Sequence, residues 1–354
     1  MSAEPTARAR TATAPVVRTL TDAERTAWDA FVRAAPDGTF LHLAGWRRVI
    51  EQVTGHRCHY LYASRGGEIT GVLPLAELKS RLFGHSLIST PFCVYGGAVA
   101  ASQEDRDALE MHARGLAEQL DVDYLELRNI SSSSGSWVPK DLYVRFRKRV
   151  AADDETNMKA VPRKQRAMIR KGIDAGLQST LELDLDSFYD MYSISMRNLG
   201  TPPFAKRYFA ALLDEFGDAA DILTVTQSGK PVSGVMTFYF RDEVMPYYAG
   251  NTADARDVKA NDFMYWELMR RGVARGATLF DFGRSKAGTG PYSFKKNWGF
   301  EPVALPYQYH LVRAPKVPDL SPMNPKYRAM IATWKRLPVS VTRVLGPMVA
   351  HYLG

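Results

Sequence analysis

Several features that mark other protein classes are scarce or missing in this sequence. Only two of its 354 residues are cysteines, Cys58 and Cys93, and both lie in apolar stretches. We therefore expect no disulfide framework and a reducing compartment such as the cytoplasm. No run of 18 apolar residues occurs, so no membrane-spanning helix is expected. Residues 1–15 lack the apolar core of a secretory signal, which favours a loose tail there.

Acidic residues are also nearly absent from two segments. Residues 159–171 hold six Lys or Arg and no acid, and residues 313–354 hold seven against the single acid Asp319. On a helical wheel, Arg163, Arg166 and Arg170 fall on one face of the first segment. Each segment can be an ordinary solvated surface, and the alternative is a surface that binds phosphate groups.

The order of predicted elements occurs twice along the chain. In the first half, the capping box of Thr21 and Glu24 predicts a helix, followed by a second helix at 43–53. Strands are predicted at 57–64, 69–78, 87–95 and 97–100, a helix at 104–120 and a strand at 123–130. The second half has helices at 185–198 and 206–216, strands at 221–227, 232–240 and 243–251, a helix at 261–276 and a strand at 277–283. This order predicts two α/β units of one design.

The stretch at 281–300, DFGRSKAGTGPYSFKKNWGF, carries a resemblance to known enzymes. Its segment FKKNWGF has the spacing F-Y-x-x-x-G-F that often ends the last helix of GNAT acyltransferases. Lys295 replaces the tyrosine that often serves there as general acid. With this replacement the chain resembles the FemAB family, tandem GNAT-like enzymes that transfer amino acids from aminoacyl-tRNA to peptidoglycan precursors. Longer strings, such as STPFCVYGGAV and NDFMYWELMRRG, resemble FemAB-type proteins associated with exosortase/PEP-CTERM and exopolysaccharide loci.

The resemblance covers about residues 20–312 and implies an α/β (α+β) fold. It implies two GNAT-like domains in tandem, each a mixed central sheet flanked by helices. The expected parts are a flexible tail at 1–17, a degenerate acceptor-shaping domain at 18–155, a basic linker helix at 156–180, a catalytic domain at 181–313 and a basic amphipathic tail at 314–354. The second domain is expected to be catalytic because the first half has no counterpart of FKKNWGF.

The resemblance also implies a set of site residues. Lys295 is the expected catalytic cation, with Phe294 beside it, because a fixed ammonium stabilises the negative oxygens that form when an amine attacks an ester. The alternative is that Lys295 and Lys296 are ordinary surface lysines. The expected substrate-binding residues are Arg284, Ser285, Gly288, Gly290, Tyr248, Asn251, Arg197, Tyr208, Lys296 and Arg166. Asp281 can be a base for the acceptor or a structural partner, and we favour the structural role.

The identity of the donor stays open. Acetyl-CoA-dependent GNATs usually carry R/Q-x-x-G-x-G/A, whose free amides hold the pyrophosphate, before the helix at 261–276. Here Arg256 is kept but Lys259 and Asn261 stand at the two glycine positions. No tightly bound cofactor is expected, and the donor is aminoacyl-tRNA or acyl-CoA. The alternatives to a FemAB-like transferase are an acetyl-CoA-dependent N-acetyltransferase and a non-catalytic component of an envelope assembly complex.

The expected acceptor is an amine on a nucleotide- or lipid-linked precursor of the envelope or of a polysaccharide. No DNA partner is expected. No metal is expected either, because His56, Cys58 and His59 cannot all face one ion from a single strand.

The C-terminal tail contains two amphipathic candidate helices. The stripes are Tyr327, Met330, Ile331 and Trp334 in the first, and Val341, Val344, Leu345 and Met348 in the second. We expect both stripes to pack on the second domain. The alternative is peripheral contact with an anionic inner membrane, which basic amphipathic segments can make.

Overall fold

The first half of the chain alternates helices with strands of a single sheet. The computed structural model describes residues 14–132, 135–181, 184–318 and 325–353. The first-half elements are β1 (Val16–Thr19), α1 (Arg25–Ala34), α2 (Gly45–Thr54), β2 (Arg57–Arg65), β3 (Glu68–Ser80), β4 (Gly84–Ser89), β5 (Val99–Ala100), α3 (Gln103–Gln119), β6 (Tyr124–Arg128) and β7 (Val138–Arg149). The predicted capping box of Thr21 and Glu24 precedes α1.

The second half repeats this order and adds a C-terminal helix pair. Its elements are α4 (Asp154–Ala160), α5 (Arg163–Asp174), β8 (Leu177–Thr180), α6 (Leu185–Leu199), α7 (Lys206–Phe216), β9 (Ala220–Gln227), β10 (Lys230–Phe240), β11 (Glu243–Asn251), α8 (Ala260–Ala274), β12 (Leu279–Lys286), α9 (Gly290–Asn297), β13 (Pro302–Leu311), α10 (Pro325–Trp334) and α11 (Val339–Ala350). Every strand and helix predicted within the two repeats is confirmed, except that the strand expected at 87–95 ends early.

The described strands form one sheet, and its two ends mirror each other. The order is β1-β2-β3-β4-β6-β13-β7-β12-β11-β10-β9-β8, with β5 paired to β3. The last strand of each half pairs with the other half: β13 lies against β6, and β7 lies against β12. β7 and β13 also pair with each other at the centre. The two repeats therefore exchange their closing strands, and the sheet cannot be divided cleanly at one point of the chain.

Three segments differ from the sequence-based expectation. The strand expected at 87–95 ends at Ser89, because Thr90 and Phe92 adopt positive φ values of 35° and 71°. The linker expected as one helix at 156–180 is α4, α5 and β8, and Pro162, which has no N–H to donate, separates the two helices. Residues 1–13 of the expected N-terminal tail lie outside the described residues, and β1 already begins at Val16.

Buried side chains join the two halves of the molecule. The largest hydrophobic cluster combines residues of both halves, and the rings of Phe40 and Phe238 stack within it at 4.4 Å. A second cluster lies under α8 and α9, and a third lies under α3. Because this core is shared, it fixes the position of the first half relative to the second.

The C-terminal helices pack on the second half, but not as predicted. Thr342, Gly346 and Ala350 of α11 are buried, and a Cβ at Gly346 would meet the ring of Pro203. The predicted stripe of Val341, Val344, Leu345 and Met348 is exposed instead, so the expectation that it packs on the domain is wrong. In the described part of the chain, none of the helices has the length and apolarity required to cross a membrane.

Candidate active site

A short ordered turn positions the helix that carries Lys295. The Thr289 hydroxyl donates a hydrogen bond to the Lys286 carbonyl at the end of β12 over 2.7 Å. The same oxygen caps α9 by accepting the Tyr292 N–H at 3.5 Å. Pro291 lies in the first helical turn, where its missing N–H removes no intrahelical bond. The turn therefore directs α9 back against the end of β12.

The Lys295 ammonium lies against the sheet and is partly buried. Its Nζ donates a hydrogen bond to the Arg284 carbonyl oxygen over 2.9 Å and lies 5.6 Å from the centroid of the Phe146 ring. Burial lowers the pKa of Lys295 to about 8, while the charge of Asp281 opposes this shift. At neutral pH the side chain is therefore mostly protonated, and its poorly hydrated charge can interact strongly with a substrate oxygen.

The two neighbours of Lys295 have different environments. The ring of Phe294 packs on those of Tyr265 and Trp298, with centroid separations of 5.5 and 6.0 Å. A phenyl ring carries neither a charge nor an exchangeable proton, so the prediction of Phe294 as a catalytic residue is corrected: it anchors α9. Lys296 is exposed. Lys295 thus faces the sheet, whereas Lys296 faces solvent.

Arg284 is a partly buried cation that is surrounded by phenol groups. Its guanidinium donates a hydrogen bond to the Tyr307 hydroxyl over 2.7 Å and lies 4.4 Å from the centroid of the Tyr143 ring. Burial opposes its charge, yet the tyrosine neighbours raise the pKa of Arg284 above its ordinary value. Among the described residues, Arg284 forms no ion pair with a carboxylate, so its charge can serve an anionic group of a substrate.

Further basic residues surround Arg284. Arg145 pairs with Arg284 across strands β7 and β12, and Lys286 pairs there with Tyr143. The Nη1 atom of Arg145 is buried and makes no hydrogen bond within the described chain. Burial lowers the pKa of Lys286, and the Arg284 charge lowers it further. This arrangement suits a ligand that carries a phosphate or a carboxylate.

Ser285 lies on the opposite face of β12 from Arg284. It pairs with Val144 and therefore shares the sheet face of Phe146, the ring beside Lys295. Its buried Oγ has no hydrogen-bond partner among the described residues. An unsatisfied buried hydroxyl costs about 1–3 kcal/mol. A substrate oxygen at Lys295 would supply the missing partner.

Asp281 is held as a structural anion. It accepts hydrogen bonds from the Tyr95 hydroxyl at 2.9 Å and from the Gly283 N–H at 2.6 Å. The Nε atom of Arg147 lies 3.3 Å from it, and a second nitrogen of Arg147 donates to Glu243. Burial and the charge of Asp281 raise the pKa of Glu243. Because Asp281 is fully buried and bonded on both oxygens, the structural role agrees better with its contacts than the role of base.

Four of the predicted substrate-binding residues have partners away from Lys295. The hydroxyls of Tyr208 and Tyr248 lie 3.0 Å apart inside the core shared by the halves. The Asn251 side chain accepts from the Ser233 hydroxyl at 2.6 Å, and an Arg197 nitrogen donates to the Leu337 carbonyl at 3.4 Å. These contacts stabilise the fold around α6 and β11, so the structure does not bring these residues to the Lys295 site.

The predicted glycines differ in what their positions require. Gly288 has φ +75°, the left-handed conformation that glycine adopts without steric cost. Gly290 has an ordinary backbone, and a Cβ there would meet nothing within 4 Å. Both are exposed, Gly288 in the turn before α9 and Gly290 as its first residue. The backbone conformation therefore favours glycine only at position 288.

Strands β11 and β12 separate beside this site. They are parallel neighbours, yet they pair only at Glu243 with Leu279 and at Val244 with Phe280. Beyond these pairs the two strands diverge towards Asn251 and Lys286, the ends that precede α8 and α9. Divergent strands leave backbone N–H and C=O groups that can bind an extended ligand.

The helix that follows β11 begins without a side-chain cap. Its N-cap residue, Lys259, has φ +60°, and its Nζ donates to the Arg256 carbonyl at 2.9 Å. Gln165 of α5 forms a hydrogen bond with Asp262 in the first turn of α8, which places half-buried Arg166 near that end. Free N–H groups and nearby cations at a helix start are suited to phosphate.

Sequence reasoning missed the aromatic and loop partners of the site. Tyr143 and Tyr307 contact Arg284, and Tyr95 contacts Asp281. Strand alternation in PYQYHLVR indicates that Tyr307 and Tyr309 share a face, but not which strand lies beside them. The described residues contain no group of three or more His, Cys, Asp or Glu side chains that could hold a metal ion.

Comparisons with known proteins agree with this architecture. Residues 163–296 match the family model of the acetyltransferase (GNAT) domain. No curated protein sequence matches the chain significantly. Among solved structures, FemX superposes with a TM-score of 0.66 at 15% identity, over 84% of this chain and 98% of FemX. The protein has a tandem GNAT fold.

Two further structures share this tandem GNAT fold. One is the C-terminal domain (DUF2156) of a putative lysylphosphatidylglycerol synthetase from Agrobacterium fabrum, with a TM-score of 0.57 and 11% identity over 81% of this chain and 91% of that one. The other is a tandem GNAT protein of the clavulanic acid pathway, with a TM-score of 0.54 and 13% identity over 86% and 100%. The match to the acetyltransferase (GNAT) domain model includes Lys295 and ends within α9.

Proposed function

We propose that this protein is a FemAB-like transferase that moves an acyl or aminoacyl group to an amine of an envelope or exopolysaccharide precursor. The observation that carries the proposal is the partly buried Lys295 at the end of β12, with its pKa of about 8. The tandem GNAT fold and the FKKNWGF segment support it. The first half shapes the acceptor site, and the second half carries the chemistry.

Lys295 acts on the oxygens that become negative during the transfer. The acceptor nitrogen attacks the carbonyl carbon of the donor ester, and the carbonyl oxygen becomes negative as the C–N bond forms. The C–O bond then breaks, and the departing alkoxide takes up the proton that the amine loses. The Lys295 ammonium and the Ser285 hydroxyl stabilise these oxygens, because preorganised donors in a site with little water need not reorganise.

The donor phosphates are assigned to the start of α8. Its N–H groups have no side-chain cap, and Arg256 and Lys259 lie beside them. The FemAB resemblance favours aminoacyl-tRNA as donor. A second candidate function is acetyl-CoA-dependent N-acetylation, which one observation favours: Lys259 stands at the first glycine position of R-x-x-G-x-G/A and keeps the left-handed backbone typical of glycine.

An anionic group of the acceptor is assigned to Arg284. Arg284 forms no ion pair with a carboxylate of the described chain, and Arg145 and Lys286 add positive charge beside it. A nucleotide- or lipid-linked precursor carries phosphates that match this site. The acceptor would thus approach from the Tyr143 side of the sheet, and its amine would reach Lys295 on the other face through the gap between β11 and β12.

Replacement of Lys295 tests the proposed chemistry. Lys295→Met should lower turnover about a hundredfold or more, because loss of one oxyanion donor typically costs about 10²–10³ in kcat. The matched control is Lys296→Met, which removes the exposed lysine one position along α9 and should have little effect. Radiolabelled group transfer to the acceptor amine measures both. Equal losses in the two variants, or an unchanged rate in Lys295→Met, would contradict the assignment.

Ligand-dependent stabilisation separates the donor classes. We expect the true donor to raise the melting temperature, and the increase should grow with the logarithm of the donor concentration above Kd. Acetyl-CoA, a charged tRNA and an aminoacyl-adenosine mimic are compared at equal concentration. Stabilisation by acetyl-CoA alone would replace the aminoacyl-transfer proposal with N-acetylation.

A further inference from the structure

An apolar helix face is exposed at the C-terminal end of the molecule. Val341, Val344, Leu345 and Met348 have spacings of three, four and seven residues on α11, so they share one side of the helix. Their exposed fractions are 37%, 68%, 43% and 63%. Four neighbouring aliphatic side chains this exposed are unusual for a helix that packs on a domain.

The opposite side of α11 fixes this face in place. Arg343 forms an ion pair with Asp190 of α6 at 2.6 Å. His56 in the first half makes a hydrogen bond with the His351 carbonyl over 2.6 Å. Gly346 packs so tightly on Pro203 that a side chain there would clash. The helix is thus attached to both halves, and its apolar side remains exposed.

A second exposed apolar residue lies beside the end of α11. The turn between β3 and β4 carries Leu82, which is 85% exposed. The next residue, Phe83, stacks on Tyr352 just beyond α11, with ring centroids 6.4 Å apart. Exposed Lys79 and Arg81 flank the turn. Segments far apart in the sequence therefore contribute to one apolar and basic surface.

The charged residues of α10 and α11 have one sign. Residues 325–354 contain five Lys or Arg and no Asp or Glu. Arg328, Lys335 and Arg336 are exposed on and just after α10, as is Met330. Positive charge beside exposed aliphatic side chains is the combination that anionic lipid surfaces attract.

We propose that α10, α11 and the turn at 79–83 form a docking surface for an anionic lipid bilayer. The four aliphatic side chains of α11 and Leu82 enter the interface, while the surrounding lysines and arginines contact lipid phosphates. A second copy of the chain is a poorer occupant, because two such surfaces would bring like charges together. This inference does not depend on the proposed transfer reaction.

Vesicle binding by the full chain tests the docking surface. Co-sedimentation is measured with vesicles of equal parts phosphatidylglycerol and phosphatidylcholine, and with phosphatidylcholine alone. We expect binding to the first only. The double variant Val344→Asp/Met348→Asp should weaken it about tenfold or more, since it puts two carboxylates against an anionic interface. Both positions are exposed, so folding should be unchanged, and circular dichroism checks this.

The matched control is Met111→Asp. Met111 is 72% exposed on α3, with Asp107 one turn before it and Arg114 one turn after it. This substitution makes the same chemical change outside the proposed surface and should leave binding unaltered. Leu82→Asp should weaken binding by a smaller factor than the double variant.

Four results would overturn the proposal. The wild-type chain could fail to sediment with anionic vesicles. The double variant could bind as well as wild type, or Met111→Asp could reduce binding equally. Light scattering without vesicles could show a dimer that the double variant dissociates, in which case the surface is a self-interface and not a membrane contact.

Discussion

The starts of two equivalent helices, α3 and α8, are built in opposite ways. Ser102 caps α3 by accepting the Asp105 N–H at 3.2 Å, and Glu104 and Asp105 are both paired with Arg65. α8 has no side-chain cap, and its N-cap residue is a lysine. At α3, Ser102 and the paired carboxylates occupy the helix start that an anion would need. At α8 the first-turn carboxylate, Asp262, accepts hydrogen bonds from Trp298 and Gln165, and no side chain caps the N–H groups of the helix start.

The gaps between the parallel strands beside these helices also differ. In the first half, β4 and β6 are parallel, and Arg128 closes the space beyond them. It donates to the Cys93 carbonyl at 2.7 Å, pairs with Glu126 at 2.8 Å and accepts the Gly96 and Gly97 amides on its carbonyl. In the second half β11 and β12 diverge, Arg284 of β12 has no carboxylate partner among the described residues, and Lys295 lies at the end of β12. One architecture thus carries a sealed copy and an open copy, which supports assigning the chemistry to the second half.

The largest expected effect comes from breaking the seal of the first half. Arg128→Met should lower the free energy of unfolding by about 3–5 kcal/mol, because it leaves buried Glu126 without its cation. Denaturant unfolding monitored by circular dichroism measures the change. The double variant Glu126→Leu/Arg128→Met is the control, and it should recover much of the loss because no unpaired charge remains. A single variant as stable as wild type would show that Arg128 does not seal the opening.

A second prediction concerns the charge in the open half. The pKa of Lys295 is about 8, below its ordinary value, so its positive charge is present below that pH and is lost above it. If the charge accelerates transfer, the rate should fall about tenfold between roughly pH 7 and pH 9. Lys295→Arg keeps a cation throughout this range, because arginine stays protonated.

The arginine variant makes this pH test decisive. It should be slower than wild type at neutral pH, since its planar group is placed differently, but it should lose the decline above about pH 8. The measurement is a pH–rate profile with saturating substrates. A decline of the same size in Lys295→Arg would assign the titrating group to another residue.

Much of this comparison could be predicted from the sequence. What could not be predicted depends on contacts between distant parts of the chain. Helices α6, α7 and α8 and the hairpins were predictable, because local periodicity and turn residues specify them. The resemblance of FKKNWGF to the GNAT motif implied that Lys295, and not Lys296, is the site lysine. The exchange of β7 and β13 was not predictable, because strand partners far apart in the chain leave no local pattern.

The residues that contact Arg284 could not be predicted for the same reason. Arg284 contacts Tyr307 and Tyr143 only because β7 and β13 cross to the centre of the sheet. The exposed side of α11 was mispredicted because Gly346 and Ala350, which are small, form its packing face. Small residues that permit close helix approach resemble a polar face in a hydrophobicity pattern.

The smallest expected effect contrasts the two helix starts directly. Ser102→Ala should destabilise the protein by about 1 kcal/mol, because α3 loses its N-cap acceptor. Lys259→Gly should stabilise it by up to about 1 kcal/mol, because the left-handed backbone at φ +60° disfavours a residue with a Cβ.

The two substitutions also differ in what they do to ligand binding. Lys259→Gly restores the glycine of the R-x-x-G-x-G/A pattern and clears the backbone approach to the α8 amides, so it should tighten binding of a phosphate-bearing donor. Lys259→Ala is the control, since it also removes the ammonium but keeps a Cβ at the strained position. Ser102→Ala should leave donor binding unchanged. Isothermal titration with acetyl-CoA, or with the donor identified by thermal stabilisation, measures all three. If Lys259→Gly and Lys259→Ala weaken binding alike, the Lys259 charge matters more than the open backbone, and the start of α8 binds phosphate chiefly through its side chains.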